Sequence, residues 1–261
     1  MHALINTALN ASRKASTLIR EAVDRPDRIK VSEKAKNDYV TDIDKAVEET
    51  LIYHISKAYP EHGFLCEESG ETQGSESDTQ WIIDPIDGTR NFILGIPHFC
   101  ISIACVKNNV LSHAVIVDPV REEEFTASKG SGAHLNGRRI RVSDRKSIEG
   151  GTVSMSCAGL QNYDQMLSLQ KTMQGNIGAL RMSGSAALDL AYAAAGRTDG
   201  GWMSGMKIWD CAAGILLIRE SGGLISDSKG NPDCLQGKDL VFSNNRCFRP
   251  LLKWVSDSTN P

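Results

Sequence analysis

The stretch Trp81-Ile82-Ile83-Asp84-Pro85-Ile86-Asp87-Gly88-Thr89 constrains the chain more than any other. Three large apolar residues lead into it and read as the end of a buried strand. Proline has no N–H for a ladder and biases the residue before it toward extended geometry, so the strand is expected to stop at Pro85 with Asp84 at its end. The turn that follows can swing Asp87 back beside Asp84. Two carboxylates held that close repel strongly unless a cation lies between them. Gly88 and Thr89 are expected to open a helix whose free backbone N–H groups suit a phosphate. Paired acids beside an anion cradle point to metal-dependent phosphate chemistry.

The chain can enclose that stretch in a substantial core, since 261 residues suffice for one large domain or two intimate halves. The pattern changes near residue 145, giving an antiparallel-rich half over 1–145 and an α/β half over 146–261, read together as one compact unit. A formal net charge of −3 gives no general pull toward nucleic acid or an anionic membrane. No apolar run is long enough to span a bilayer, so no membrane partner is expected. Leu4, Ala8, Ala11, Ala15, Leu18 and Ala22 recur at helical spacing, which predicts a docked amphipathic helix. Seven scattered cysteines without a C-x-x-C pair read as buried, reduced thiols of a cytoplasmic protein rather than disulfides or a zinc site.

A second helix is expected from the stretch Asn37 to Asp44 onward, ending about Tyr59, with Thr41 as its N-cap and Asp44 reaching back as in a capping box. On the residues alone, capping is the favoured role for Asp38, Asp42 and Asp44. Phe64-Leu65-Cys66 reads as a short strand running into Glu67-Glu68, an acidic pair that by itself reads as solvated surface, followed by a polar loop to Asp78. Phe99 to Val106, Val110 to Asp118 and Glu124 to Ala127 read as antiparallel strands, with Glu122 to Glu124 solvated. Asn136-Gly137 reads as a hairpin turn, and the basic residues after it as a charged edge strand rather than a nucleic-acid surface. His98 reads as a satisfied polar residue. Strands and helices then alternate, with Gly184-Ser185-Ala186 opening one helix and Asp210 near the start of another, where an acid favours the helix dipole.

Four segments occur in order: Glu67-Glu68-Ser69, the organising stretch, Gly184-Ser185-Ala186-Ala187, and Trp209-Asp210 followed by Ala212-Ala213-Gly214. Together they resemble the inositol monophosphatase family of lithium-sensitive, magnesium-dependent phosphatases, and the bacterial suppressor-type members most. The resemblance implies a layered sandwich, α+β passing into α/β, with alternating α-β-α-β-α layers of the type shared with fructose-1,6-bisphosphatase, and usually a homodimer. It implies that Glu67, Asp84 and the Ile86 carbonyl hold one Mg2+ and that Asp84, Asp87 and Asp210 hold a second. Asp44 and Thr89 match the pair that activates the attacking water. Asp87, Gly88, Thr89, Gly184, Ser185, Ala186 and Asp210 match contacts to the phosphorylated substrate. Oxygen-only ligands suit a hard ion, and two ions roughly 3.5–4 Å apart activate water on one side and stabilise the leaving alkoxide on the other.

Two positions depart from the family pattern. Arg90 stands where relatives commonly carry a second Thr, and can meet substrate phosphate or pair with an acid. Met203 stands where many inositol-hydrolysing relatives place a Glu, which removes a polar contact to a polyol. The expected activity is hydrolysis of inositol monophosphate or a similar small phosphate monoester. Alternatives keep the chemistry on a sugar bisphosphate, a 3′-phosphonucleotide or histidinol phosphate. A different class of role is a binding protein in ribosomal RNA transcription antitermination, which the suppressor-type resemblance permits.

Overall fold

The computed structural model describes residues 2–35, 38–75, 78–158, 163–237 and 239–259; Asn37 lies outside them. Apolar spacing makes Ala3–Val23 a helix (α1) that buries Ile5, Ala8, Leu9, Ala15 and Ile19. A hairpin follows, β1 (Val31–Ala35) against β2 (Asp38–Thr41), in a polar segment that gives no strand signal. Helix α2 (Asp42–Ala58) begins at the expected cap: the Thr41 side chain accepts from the Ile43 and Asp44 N–H groups, and Asp44 reaches back to the Thr41 N–H.

Then come β3 (Gly63–Cys66), β4 (Gly70–Thr72, within the expected polar loop), β5 (Thr79–Asp87) and the short helix α3 (Thr89–Ile93). The meander continues through β6 (Cys100–Lys107), β7 (Val110–Asp118), β8 (Glu123–Ser128), β9 (Gly132–Leu135) and β10 (Arg138–Arg139). These form an eight-stranded sheet ordered β10-β9-β8-β7-β6-β5-β3-β4, with β3 and β5 parallel. Asn136 and Gly137 make the last turn with positive φ, and the two arginines after it lie exposed at the sheet edge. After this sheet the chain runs through β11 (Thr152–Cys157), α4 (Tyr163–Met173), β12 (Ala179–Arg181), α5 (Ala186–Ala194), β13 (Gly200–Ser204) and α6 (Ile208–Glu220). It ends with β14 (Leu224–Ser226), β15 (Asp239–Ser243) and α7 (Phe248–Thr259), the second sheet being ordered β12-β11-β13-β15-β14.

Alternation along the strands sends neighbouring residues to opposite faces and produces three cores. Trp81, Ile83, Ile101 and Ile103 face α1 and α2. Ile82, Ala104 and Ile116 face the other way, onto α5 and α6, which also cover Met203, Leu240 and Phe242 of the second sheet. Trp202, Val153 and Val241 face outward and are covered by α4 and α7. The order of layers is therefore α-β-α-β-α. Helix α6 lies in the middle layer and buries every residue from Cys211 to Ile218, which explains its apolar character all round.

The strand does not stop at Pro85. β5 pairs through Asp84 with Ser102 and again through Asp87 with Cys100, so Pro85 and Ile86 together oppose Ile101. On a regular strand, acids three positions apart point to opposite faces. The bulge absorbs the odd residue and brings both acids to one side, at a position where proline owes the ladder no donor. Other readings also change. Glu123 and Glu124 are not merely solvated: Glu123 pairs with Arg197, and Glu124 accepts two bonds from Arg13 at 2.6 and 2.7 Å. Partly exposed pairs of this kind contribute only ~0–1 kcal/mol each. His98 is not satisfied; its Nε2 is buried without a hydrogen-bond partner, and its ring lies edge-on to Tyr192. All seven cysteines are free and six are buried, as read.

The middle layer is closely packed where α5 meets α6. A Cβ added at Gly214 would lie 2.4 Å from the Leu190 Cβ. Gly214→Ala is therefore expected to lower stability by ~1–3 kcal/mol through overpacking, although alanine favours a helix interior by about 1 kcal/mol. Denaturant unfolding reads this directly, and a more stable variant would contradict the close approach.

Candidate functional site

One cavity of about 360 Å³ is lined by Glu67, Asp84, Ile86, Asp87, Gly88, Thr89, Gly184, Ala186 and Asp210. Asp44 and Ser185 stand directly behind it, Asp44 against Thr89 and Ser185 against Asp87. The residues singled out in the sequence therefore come together, from the ends of β3 and β5 and the starts of α2, α3, α5 and α6.

Each acid has its own setting. Glu67 leaves β3 with its N–H bonded to the Ile83 carbonyl, and the turn after it is held by Glu48, whose carboxylate accepts from Glu68 N at 2.9 Å and Ser69 N at 2.8 Å. Glu67 and Glu68 are not free surface. Lys34 of β1 folds over them, its Nζ 3.0 Å from Glu67 Oε1 and in contact with Glu68. Burial still pushes the Glu67 carboxyl up to about 7 against the pull of Lys34. Sequence reasoning missed Lys34 and Glu48, since nothing in a polar strand or a helix face marks which charge will fold onto a distant turn.

Asp87 Oδ2 accepts from the Ser185 hydroxyl at 2.5 Å and Ala187 N at 2.7 Å, and its Oδ1 from Ala186 N at 3.3 Å. The carboxylate thus occupies the open end of α5, and the Ala186 N–H expected to face substrate is turned to Asp87 instead. Burial raises its pKa, and these bonds oppose the rise. Asp210, in the first turn of α6, accepts from Lys207 N at 2.8 Å and is pushed up to about 8 by burial and by Asp87. The Ser102 hydroxyl donates to the Trp209 carbonyl at 3.2 Å and ties that helix start to β6. Asp84 is fully buried and held well above the usual carboxylate range by burial, then by Glu67, Asp87 and Asp210.

Asp44 does two things at once. Its Oδ2 accepts from Thr41 N at 2.8 Å and the Thr41 hydroxyl at 2.5 Å, which is the capping role. Its Oδ1 lies 3.1 Å from Thr89 Oγ1, which is also 3.0 Å from the Ile86 carbonyl. Burial raises the Asp44 carboxyl despite these donors. Gly88 and Gly184 both take positive φ where the two halves of the chain touch. A Cβ on Gly88 would lie 3.2 Å from the Gly184 carbonyl, and one on Gly184 would lie 2.9 Å from Asn91 Nδ2. Asn91 bridges the same place by donating to the His98 and Ser183 carbonyls at 2.8 Å each.

The donor set fits a hard divalent ion. Every candidate ligand is an oxygen. Asp84 Oδ1 is buried and has no hydrogen-bond partner, a state that a cation would relieve. No group of three His, Cys, Asp or Glu side chains among the described residues is arranged to hold an ion unaided. Magnesium commonly takes one or two carboxylates and completes its octahedron with water and substrate phosphate, so this arrangement suits it. The two departures from the family pattern lie elsewhere: Met203 is wholly buried in the middle core, and Arg90 is exposed and outside the cavity lining.

Residues 1–257 match the model of the inositol monophosphatase family. The Nus factor SuhB of Pseudomonas aeruginosa is 46% identical over 267 residues, covering 100% of this chain and 98% of that protein. Extragenic suppressor protein suhB of Bartonella henselae superposes with a TM-score of 0.95 at 38% identity, covering 97% of this chain and 98% of that one. The Thermotoga maritima IMPase superposes with a TM-score of 0.88 at 33% identity, covering 97% of each chain.

Because the folded chain holds these carboxyls above their ordinary values, it binds more protons than the unfolded chain from the usual carboxylate range up to about 7 to 8. Stability without metal therefore falls as pH rises through that window. In chelator, the Tm is expected to be several degrees lower at about pH 8.5 than at about pH 6, with excess magnesium removing most of the difference. An unchanged metal-free Tm across the window would contradict a shared acidic site.

Proposed function

Because the chain belongs to the inositol monophosphatase family, we propose that it is a magnesium-dependent phosphatase acting on inositol monophosphate or a similar small phosphate monoester. The observation that carries this reading is the meeting of Glu67, Asp84, Asp87 and Asp210 on one cavity, beside a Thr89 backed by Asp44. Glu67, Asp84 and the Ile86 carbonyl would hold one ion, and Asp84, Asp87 and Asp210 would contribute to a second, with water and substrate phosphate completing each. Bound there, the ions supply charge neutralisation and a more acidic water.

The chain's own groups do the rest. Thr89 Oγ1, its proton drawn toward Asp44 Oδ1, turns a lone pair to the attacking water and receives a proton from it as its own passes to Asp44. Burial, by raising the Asp44 carboxyl, makes it a better acceptor for that proton. A new P–O bond to the water oxygen forms as the P–O bond to the alcohol breaks, and the departing alkoxide takes a proton from solvent. Backbone at Gly88 and Thr89 orients the phosphate. No side-chain nucleophile is required. The site draws on both 1–145 and 146–261, which act as one unit, and we assign the protein to the cytoplasm as a homodimer. Among the described residues no helix is long and apolar enough to cross a membrane.

A second reading rests on a different observation, the name Nus factor carried by a relative 46% identical. In it, the chain also binds the transcription machinery in ribosomal RNA antitermination, apart from turnover.

Phosphate release from inositol 1-phosphate, a sugar bisphosphate, a 3′-phosphonucleotide and histidinol phosphate tests the first reading. Release is expected to require magnesium and to drop roughly 10²–10³-fold in Asp87→Asn, which loses charge at constant volume. No release from any ester would refute the phosphatase. The same inactive variant is expected to capture transcription partners as well as the parent does; loss of capture would tie binding to the catalytic centre and refute a separate scaffold.

A further inference from the structure

The cavity lining divides by chemistry into acids and a second group of residues without charge. Glu67, Asp84, Asp87, Asp210 and Thr89 are committed to ions, phosphate and water. That leaves Ser156, Cys157, Ala158, Met182 and Met206 for the alcohol half of a substrate, the Met155 side chain being buried in the outer core. Of these, only Ser156 carries a hydroxyl, and that hydroxyl is donated at 2.9 Å to Asp189 Oδ2, a carboxylate buried in α5. Among the described residues, this uncharged group contains no Asp, Glu, Asn, Gln, Arg or Lys side chain.

A polyol entering here would shed water from its hydroxyls and find few directional side-chain partners among these described residues in return. Thioethers behave differently: they are polarizable, adapt their shape through several rotatable bonds, and make favourable contacts with aromatic rings. Met206, just before α6, is nearly buried, whereas Met182, just after β12, is 52% exposed, so one thioether belongs to the wall and the other to the mouth. Met203 is wholly buried and is not among the residues that line the cavity, unlike Met206.

We propose that the site selects phosphate monoesters whose alcohol presents a flat, apolar face, an aromatic ring or a nucleobase, over esters of polyols. This rests on the phosphatase reading above and specifies the alcohol class which that reading leaves open. The reaction is unchanged, with water as phosphoryl acceptor; the methionine wall alters how well each alcohol is held while the bond breaks.

The test compares kcat/KM of the magnesium-loaded full chain for benzyl phosphate, adenosine 2′-monophosphate, glycerol 2-phosphate and inositol 1-phosphate. Benzyl and glycerol esters have comparably poor leaving groups, so their ratio reports how the alcohol is held. Aromatic esters are expected to be favoured roughly tenfold or more, and the benzyl and adenosine arms distinguish a simple ring from a nucleobase. Met206→Gln and Met182→Gln are each expected to move the aromatic-to-polyol ratio roughly three- to tenfold toward the polyol. A variant that merely folds poorly lowers both rates and leaves the ratio unchanged, so the exposed Met182 keeps the test decisive if Met206→Gln is unstable. Equal or better turnover of the polyol esters, or a ratio unmoved in both variants, overturns the proposal. Phosphate release from none of the four would instead remove the phosphatase reading, and this proposal with it.

Discussion

Mutual repulsion among Glu67, Asp84, Asp87 and Asp210 is the interaction that the surrounding structure has to answer, since burial and neighbouring charge raise these carboxyls above their ordinary values. Three of the four receive a local answer. Glu67 has the ammonium of Lys34, Asp87 the first N–H groups and hydroxyl of α5, and Asp210 a backbone donor at the start of α6. Asp84 has an oxygen with no partner at all. The unpaired oxygen therefore lies among the other three acids, where a cation would give it a partner and offset the repulsion from its neighbours.

The layered architecture makes that concentration of charge possible. Helices α5 and α6 are buried on nearly all sides between the two sheets, so their stability comes from apolar packing that owes nothing to the site. Their N-terminal ends emerge at the cavity, where the unpaired N–H groups of any helix favour negative charge. The short helix α3 contributes differently. Its five residues carry little dipole, and its use lies in placing Thr89 between Asp44 and the Ile86 carbonyl.

Features that depend on local chemistry were legible in the sequence. The Thr41–Asp44 cap, the Asn136-Gly137 turn, the meander from Cys100 to Ser128 and the helix start near Asp210 all follow from spacing and side-chain type. The gathering of the acids was legible through the family resemblance that the ordered motifs carry, and the structure brings the ends of β3 and β5 and the starts of α5 and α6 to one cavity. What was hidden depends on partners distant in sequence. The bulge at Pro85 exists only relative to β6, and the hold of Lys34 on Glu67 needs a hairpin whose composition signals no strand. Asp44 was ambiguous for a good physical reason: its two oxygens serve two purposes, and a sequence shows one residue.

The contact between Asp87 and the start of α5 joins groups about a hundred positions apart. A chain emerging from the ribosome completes the strand bearing Asp84 and Asp87 long before Ser185, Ala187 or Asp210 has been made. During that interval the two aspartates lack both the helix end that steadies one of them and the last carboxylate of the set. Competence for catalysis is thus a late event in the life of each nascent molecule, reached only when the second sheet has docked and the middle helices are enclosed.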